Sequence, residues 1–320
     1  MKEVTFIRRN IDKWKDIERL IDNVSVQNPD SIADAYSNVT SDLAFAQTHF
    51  SNSRITIYLN NLASTLHHEL YKNKREKWSR ILTFWKDEIP QVMALSRKEL
   101  KLSFLIFIIS VGIGILSAAN DPDFVRSTLG NSYVDMTMHN IAAGNPMAIY
   151  GSSSELPMFL GITFNNVIVS FNCFVMGLLT VFGTGYMLLK NGIMIGAFQT
   201  FFYQQGFLGE SMLAIWLHGT LEIWAIIVAG SAGIVLGNSW LFPGTYSRLE
   251  SFKRGAKRGL KILIGTVPIF ILAGFIEGFF TRHTDWSDIL RLMMILLSLG
   301  FIFFYYIYLP NKKTHGTAKT

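Results

Sequence analysis

The sequence predicts an all-α, polytopic integral membrane protein with six transmembrane helices and a small N-terminal helical bundle. Of the 320 residues, 50 % are hydrophobic, yet the mean hydropathy is only +0.29, because the apolar residues concentrate after residue 100. Residues 101–310 contain apolar segments close to the roughly 20 residues that a helix needs to cross a bilayer. Residues 1–100 are polar and show helical periodicity instead.

The N-terminal region, residues 1–100, contains apolar residues that recur at helical spacing in four stretches. Charged and polar residues separate the stretches, which is typical of short amphipathic helices packed against one another. We therefore expect a small cytoplasmic bundle without a recognisable catalytic spacing. The four stretches are Ile7, Ile11, Trp14, Ile17 and Ile21; Ile32, Tyr36, Val39, Leu43 and Ala46; Ile55, Leu59, Leu62, Leu66 and Leu70; and Trp78, Leu82 and Trp85 before Pro90.

Six apolar segments of the transmembrane domain are the expected spans. The third is short and contains glycine, so by itself it fits either a tilted span or a re-entrant element. A short tail, residues 311–320, follows the last segment. The expected spans are residues 102–119, 162–189, 192–203, 212–237, 260–280 and 289–309.

The distribution of basic residues predicts the orientation in the membrane. Lys and Arg concentrate in the N-terminal region, at Lys190, in the connector 243–260 and in the tail, whereas Arg126 is the only basic residue of the polar segment 120–161. Positive residues stay on the cytoplasmic side, and this rule is satisfied if the third segment crosses. We expect a bacterial cytoplasmic (inner) membrane protein with both termini cytoplasmic, segment 120–161 outside, and the connector as an amphipathic helix on anionic headgroups.

Several function classes are not predicted. The N-terminus lacks the apolar core of a secretory signal, so we expect insertion through internal segments. Cys173 is the only cysteine, which leaves no disulfide framework or cysteine-based metal site within one chain. No phosphate-binding Gly-Lys-Ser/Thr loop, Ser/His/Asp arrangement or nucleic-acid motif is present. The prediction is a protein that is not an enzyme and binds no nucleic acid.

The fourth span carries two ionisable residues, His218 and Glu222, which lie four residues apart and hence on one helix face. Ionisable groups inside a membrane are costly and are functional candidates by default. The expected topology places further polar side chains of other spans at the same outer depth. These are Asn165, Asn166, Glu277 and Arg291.

Three interpretations of this buried polar cluster are open. The favoured one is structural, with Glu222 pairing with Arg291 or with the asparagines between helices. The second is a divalent metal site with His218, Glu222 and Glu277 as ligands, because imidazole and carboxylates suit zinc or manganese-like ions; such a metal is the one cofactor considered. The third is an ion or proton relay through the same three residues. The His-x-x-x-Glu spacing lacks the second histidine of zincins, which argues against a metalloprotease.

Two glycine pairs, Gly192 with Gly196 and Gly233 with Gly237, have the Gly-x-x-x-Gly spacing that lets helices approach closely. The pattern fits helix packing within the chain or across a dimer. We expect a homodimer.

Several motifs resemble the stage II sporulation protein M family. The clearest is His218-Gly219-Thr220-Leu221-Glu222, followed by a run rich in Ala and Gly, although Leu217 stands where the family often has proline. Further similar motifs are Asn165-Asn166; Asn191-Gly192 with Gly196; Ile276-Glu277-Gly278-Phe279; and, as in the longer branch of the family, Tyr36 with Ser41-Asp42-Leu43-Ala44 and Tyr58-Leu59-Asn60 with Leu62, His67 and Tyr71.

The resemblance implies a non-enzymatic membrane scaffold or complex subunit linked to remodelling of the cell envelope. The partners it implies are other membrane or envelope-remodelling proteins, with an ATPase as a further candidate. The competing prediction is an ion or solute transporter, or a permease subunit, that uses the buried His/Glu cluster.

Overall fold

The computed structural model describes residues 2–22, 29–71, 79–148, 155–281 and 286–312, and every regular element in these ranges is helical. The chain divides into two compact units, Met1–Trp78 and Ser79–Thr320. The division thus falls at Trp78, not near residue 100 where the sequence placed it. Each unit is described by itself below.

The first unit contains three helices, α1 (Glu3–Asp22), α2 (Pro29–His49) and α3 (Arg54–Tyr71). They confirm the first three amphipathic stretches, and their apolar faces form one core. Trp14 is fully buried in that core. Its indole Nε1 donates a hydrogen bond of 2.8 Å to Asp42 Oδ2, so the one polar atom of this large side chain is satisfied on α2.

The fourth stretch belongs to the second unit. It forms α4 (Ser79–Thr83), a π-helical turn (Phe84–Glu88) and α5 (Ile89–Leu95), while Trp78 lies outside the described residues. Ile89 is buried in the same core as the apolar helices that follow. The prediction of a four-helix N-terminal bundle is therefore wrong in its last member.

Polar contacts fasten this fourth stretch to later helices. Tyr305 Oη donates to the Trp85 carbonyl oxygen at 2.6 Å. Lys261 Nζ donates to Glu88 Oε2 at 2.5 Å, and this hydrogen bond lowers the pKa of the Glu88 carboxyl below its usual value. The apolar face of this stretch packs on later helices of the same unit, which accounts for its amphipathic pattern.

Five helical runs among the described residues are long and apolar enough to cross a membrane, against the six separate spans predicted from the sequence. The predicted second and third spans lie within one run of 49 residues. The expected break at residues 190–192 does not occur, since the helix continues through these residues; Asn191 Nδ2 donates to the Met187 carbonyl at 2.8 Å along it. The runs are Arg97–Asn120, Leu156–Gln204, Leu208–Leu241, Arg248–Thr281 and Asp288–Lys312.

The 49-residue run reverses direction at Met176–Leu179, before the expected break at residues 190–192. Helix α9 (Glu155–Val175) passes through a short 3₁₀ turn (Met176–Leu179) into α10 (Thr180–Gln204), and Thr180 has a φ of 64°. Thr184 Oγ1 donates to the Cys173 carbonyl at 3.0 Å, although the two residues would lie about 16 Å apart along a straight helix. The run is thus a hairpin of two antiparallel arms.

The remaining long helices are α6 (Arg97–Asn120), α11 (Leu208–Leu241), α12 (Arg248–Phe275) and α13 (Asp288–Ile302). Helix α11 is the centre of the unit and contacts α6, α9, α10, α12 and α13. Buried residues make up 83 % of its apolar window, against 11 % for the last run. Ser103 Oγ on α6 donates to the Ile227 carbonyl of α11 at 2.6 Å.

The basic connector is the first part of α12. This helix begins after Ser247, whose side chain accepts a hydrogen bond from the Glu250 backbone N–H, and it continues to Phe275 without a break. The sequence analysis predicted a separate amphipathic helix over 243–260, whereas residues 248–260 are continuous with the apolar part of α12. Nothing between Arg248 and the apolar segment terminates a helix, since the intervening glycines pack against neighbouring helices and so remain helical.

Both glycine pairs are used within the chain. Gly192 and Gly196 face the α6 backbone, and Gly233 and Gly237 face the hairpin between α9 and α10. At each of the four positions an added Cβ would overlap atoms of the neighbouring helix. Of the two interpretations of the pattern, packing inside the chain is therefore the one observed.

The segment 120–161, expected as a polar stretch, contains two helices, α7 (Pro122–Leu129) and α8 (Asn131–Ala142). Asp121 Oδ1 accepts a hydrogen bond from the Asp123 N–H and caps α7. Val125 and Val134 are buried against one end of α10 and α11. Helices α7 and α8 therefore cover that end of α10 and α11.

We expect Gly114→Ala to destabilise the protein, because a Cβ at Gly114 would overlap the Ile193 carbonyl oxygen of α10. Overpacking of this kind costs about 1–3 kcal/mol. Gly112→Ala is the matched control on the same helix, since no atom lies within 4 Å of its Cβ position; its effect should stay within about 1 kcal/mol. Thermal unfolding in detergent measures both. Equal losses in the two variants would contradict the close packing of α6 on α10.

Candidate functional site

Three ionisable side chains meet at the junction of α11 and α12. His218 and Glu222 share one face of α11, and Glu277 lies on the π-helical turn Ile276–Thr281 that follows α12. One ligand atom from each lies within 4.8 Å of the other two, and His218 Nε2 is 3.5 Å from Glu277 Oε2. His218 and Glu277 are only 4 % and 9 % exposed.

Polar neighbours orient these three side chains. Asn166 Nδ2 on α9 donates to Glu222 Oε1 at 2.7 Å. His218 Nδ1 lies 3.1 Å from Thr281 Oγ1, and the Thr281 hydroxyl donates to the Ile276 carbonyl at 3.4 Å. The tautomer with its proton on Nδ1 donates to the Thr281 oxygen and directs the Nε2 lone pair at Glu277, whereas the other tautomer directs an Nε2–H at Glu277.

The cluster borders a cavity of about 460 Å³. No Lys or Arg occurs among the described residues that line it. Two carboxyl groups and an imidazole therefore converge, in a largely apolar setting, without a Lys or Arg in the described cavity wall. Such an arrangement is costly unless protons or a cation occupy the space between the groups. Other residues of the wall include Thr128, Tyr133, Met158, Phe198, Gln199 and Trp216.

Of the other predicted members of the cluster, Asn166 contacts it, through Glu222. Asn165 is exposed, because neighbouring residues of a helix point about 100° apart. Arg291 lies 3.8 Å from Asp288 and lines another cavity, together with Thr281. The structural contact proposed for Glu222 is thus made by Asn166, and the predicted alternative with Arg291 is wrong.

Several residues of the site were missed by the sequence reasoning. Thr281 contacts His218 only because the π-helical turn brings it back beside α11. Tyr133 on α8 reaches the cavity from the segment expected to be a loop, and burial raises the pKa of its phenol. The Trp216 indole N–H is buried and has no hydrogen-bond partner among the described residues. Trp216 lies two residues from His218, but no spacing rule distinguishes it from a core tryptophan.

The donor set fits a zinc or manganese-like ion. Ligand atoms about 2.1 Å from a tetrahedral ion lie about 3.4 Å from one another, which the distance between His218 and Glu277 already matches. Rotation of the carboxylates would close the wider separations. Three protein ligands leave a fourth position on the cavity side, and the contacts from Asn166 and Thr281 orient two of the ligands, as outer-shell partners of metal ligands do.

Two family models match the chain. Domain of unknown function (DUF8413) matches residues 4–72, the region of α1 to α3. Stage II sporulation protein M matches residues 103–282, more than half of the chain, and this region includes every residue of the His/Glu cluster. No curated protein and no solved structure matches the chain. The chain therefore belongs to the stage II sporulation protein M family.

Proposed function

We propose that this membrane protein is a non-enzymatic scaffold subunit whose helical core binds a divalent cation through His218, Glu222 and Glu277. The observation that carries the proposal is the convergence of these three ligand atoms within 4.8 Å. A cation at this point would be held by α11 and by the turn after α12, and through Asn166 it would also fix α9. It would thus join three helices at one level.

Charge balance supports a cation in this position. The cavity wall has no Lys or Arg among its described members, and Arg291 lines a different cavity. The His218 tautomer with its proton on Nδ1, toward Thr281, would direct a lone pair toward Glu277. A divalent ion would compensate both carboxylates and use that lone pair.

The packing beyond the cluster favours a fixed site over a transport pathway. Every residue of α11 from 225 to 237 is buried, and Gly230, Gly233 and Gly237 bring neighbouring atoms against its surface. The cavity that contains Glu222 does not extend along this segment. A solute entering at the cluster would need these contacts to open, so the transporter remains the second candidate.

The proposal includes a location and partners. The distribution of Lys and Arg supports a bacterial cytoplasmic membrane with both termini inside, and family membership supports a link to cell-envelope remodelling. As a scaffold the protein would act as a homodimer and hold other membrane or envelope-remodelling proteins, with an ATPase as a candidate partner. The packing of both glycine pairs inside the chain leaves the dimer contact to other surfaces.

We expect the purified protein to retain about one zinc or manganese-like ion per chain and His218→Ala to lose it, because the imidazole is one of only three protein ligands. Elemental analysis of protein purified without chelator measures the ion. Glu222→Gln keeps the side-chain shape and should weaken binding at least about tenfold.

His139→Ala is the matched control, since His139 is exposed on α8, outside the cluster. Circular dichroism and size-exclusion profiles check that each variant is folded. Metal retained at the wild-type level in folded His218→Ala would contradict the site.

We expect no cation flux through the protein in liposomes, because the buried segment 225–237 closes the cavity. The measurement is uptake of zinc or manganese by proteoliposomes that contain a metal-sensitive dye, with Glu222→Gln alongside. Cation flux that depends on Glu222 would contradict the scaffold proposal and support the transporter. Bound metal without flux is the result expected of a scaffold.

We expect α8 and the loop before α12 to lie on opposite sides of the membrane, because both arms of the hairpin and α11 separate them. In a Cys173→Ser background, Ser132→Cys should react with an impermeant maleimide in intact spheroplasts. Thr245→Cys should react only after permeabilisation; both positions are exposed. Labelling of both from outside would mean that one arm of the hairpin does not cross.

A further inference from the structure

A second cavity, of about 450 Å³, lies at the opposite end of α11 from the His/Glu cluster. Its wall combines the last residues of α11 with the first turns of α12 and the start of α6. This cavity shares no described residue with the first one. Polar and charged residues of its wall include Glu99, Asn238, Ser239, Tyr246, Arg254 and Arg258.

Two arginines face this cavity from α12. Arg254 and Arg258 are four residues apart, so their side chains lie on one face of the helix. The Arg254 guanidinium carbon lies 4.1 Å from the centroid of the Tyr246 ring, and Arg254 Nε donates to Glu250 Oε1 at 2.8 Å. These contacts fix the plane of one guanidinium before any ligand binds.

Arg258 lacks a complete set of partners. Its Nη2 lies 3.6 Å from Glu99 Oε1, which is an ion pair but too long for a good hydrogen bond. Its Nε is buried and has no hydrogen-bond partner among the described residues. A buried donor without an acceptor is destabilising, so an oxygen ligand that reached Nε after a small shift of the side chain would satisfy it.

The chemistry of the wall selects a phosphate. Arg254 and Arg258 both line the cavity, and the planar guanidinium is the side chain that recognises phosphate through paired N–H donors; the Asn238 amide lines the same space. Glu99 is the one carboxylate of the described wall, while Glu250, which pairs with Arg254, does not line it. Phe242 also lines the cavity and is 71 % exposed, so an acyl chain could lie beside the phosphate.

We infer that this cavity binds a phosphate group between Arg254 and Arg258, carried either by the headgroup of an anionic lipid or by free phosphate. The ion pair between Glu99 and Arg258 neutralises part of the Arg258 charge and so weakens phosphate binding. The inference is independent of the cation site, because the two cavities have no described residue in common.

The test uses full-length protein in detergent, titrated with short-chain phosphatidic acid in one arm and with inorganic phosphate in the other. Diacylglycerol, which has the acyl chains without the phosphate, is the ligand control. Native mass spectrometry or thermal shift measures binding. Arg258→Gln should weaken binding about tenfold or more, and Glu99→Gln should strengthen it.

Lys253→Gln is the matched control, because Lys253 is an exposed cation of the same helix that does not line the cavity. Retained binding in this variant, with loss in Arg258→Gln, supports the site. Binding of phosphatidic acid alone then identifies the headgroup as the source, and binding of both ligands identifies free phosphate as sufficient. Equal losses in Arg258→Gln and Lys253→Gln, binding of diacylglycerol as strong as that of phosphatidic acid, or no binding of either phosphate ligand would overturn the inference.

Discussion

Close backbone contact around α11 is the constraint on which the rest of the membrane unit depends. Gly233 meets the Cys173 carbonyl, Gly237 meets the carbonyl of Gly177, and Gly230 meets Leu188 and Ser103. Between apolar helices in lipid, association rests on van der Waals packing and on a few interhelical hydrogen bonds. The absence of side chains at these positions therefore sets how closely the hairpin and α6 can approach α11. The turn of the hairpin at Met176–Leu179 packs in the same way, with Gly177 against Gly233.

This packing determines where polar groups can be accommodated. Segment 225–237 of α11 is fully buried and leaves no room for a ligand. One turn before that segment the neighbouring helices separate, and Glu222, His218 and Glu277 border a cavity. Buried ionisable groups in a membrane persist only when partners offset their desolvation. Asn166 and Thr281 offset part of it, and a bound cation would offset the rest. The cluster and the glycine contacts are thus parts of one arrangement, in which tight packing on one side permits a polar pocket on the other.

The sequence predicted where most helices lie, but not how each helix is rotated about its own axis relative to its neighbours. Periodicity identified the first three helices, and the predicted meeting of His218, Glu222, Glu277 and Asn166 agrees with their contacts. The sequence could not choose between Asn166 and Arg291 as the partner of Glu222, because a few tens of degrees of helix rotation decide that choice. The residues 190–192 resembled a turn because Lys190 interrupts the apolar run and Asn and Gly are turn residues. In the structure the Asn191 amide bonds the preceding turn of the helix, and the glycine provides a flat surface for α6. The true reversal carries only Gly177 as a signal, and Thr180 adopts a positive φ that no composition rule suggests. Thr281 enters the site through π-helical geometry, which leaves no periodic signature.

The two cavities lie at opposite ends of the same helix. Glu222 and Asn238 are about 24 Å apart at 1.5 Å per residue, and the intervening segment is packed on all sides. Packed interfaces of this kind shift between discrete arrangements and do not deform continuously. A ligand at one cavity could therefore affect the other only by moving α11 together with the glycine contacts of the hairpin and of α12. Such a movement would be opposed by every carbonyl that lies against a glycine. This rigidity favours the proposed scaffold over the transporter, because a gate at these residues would have to separate the same packed contacts.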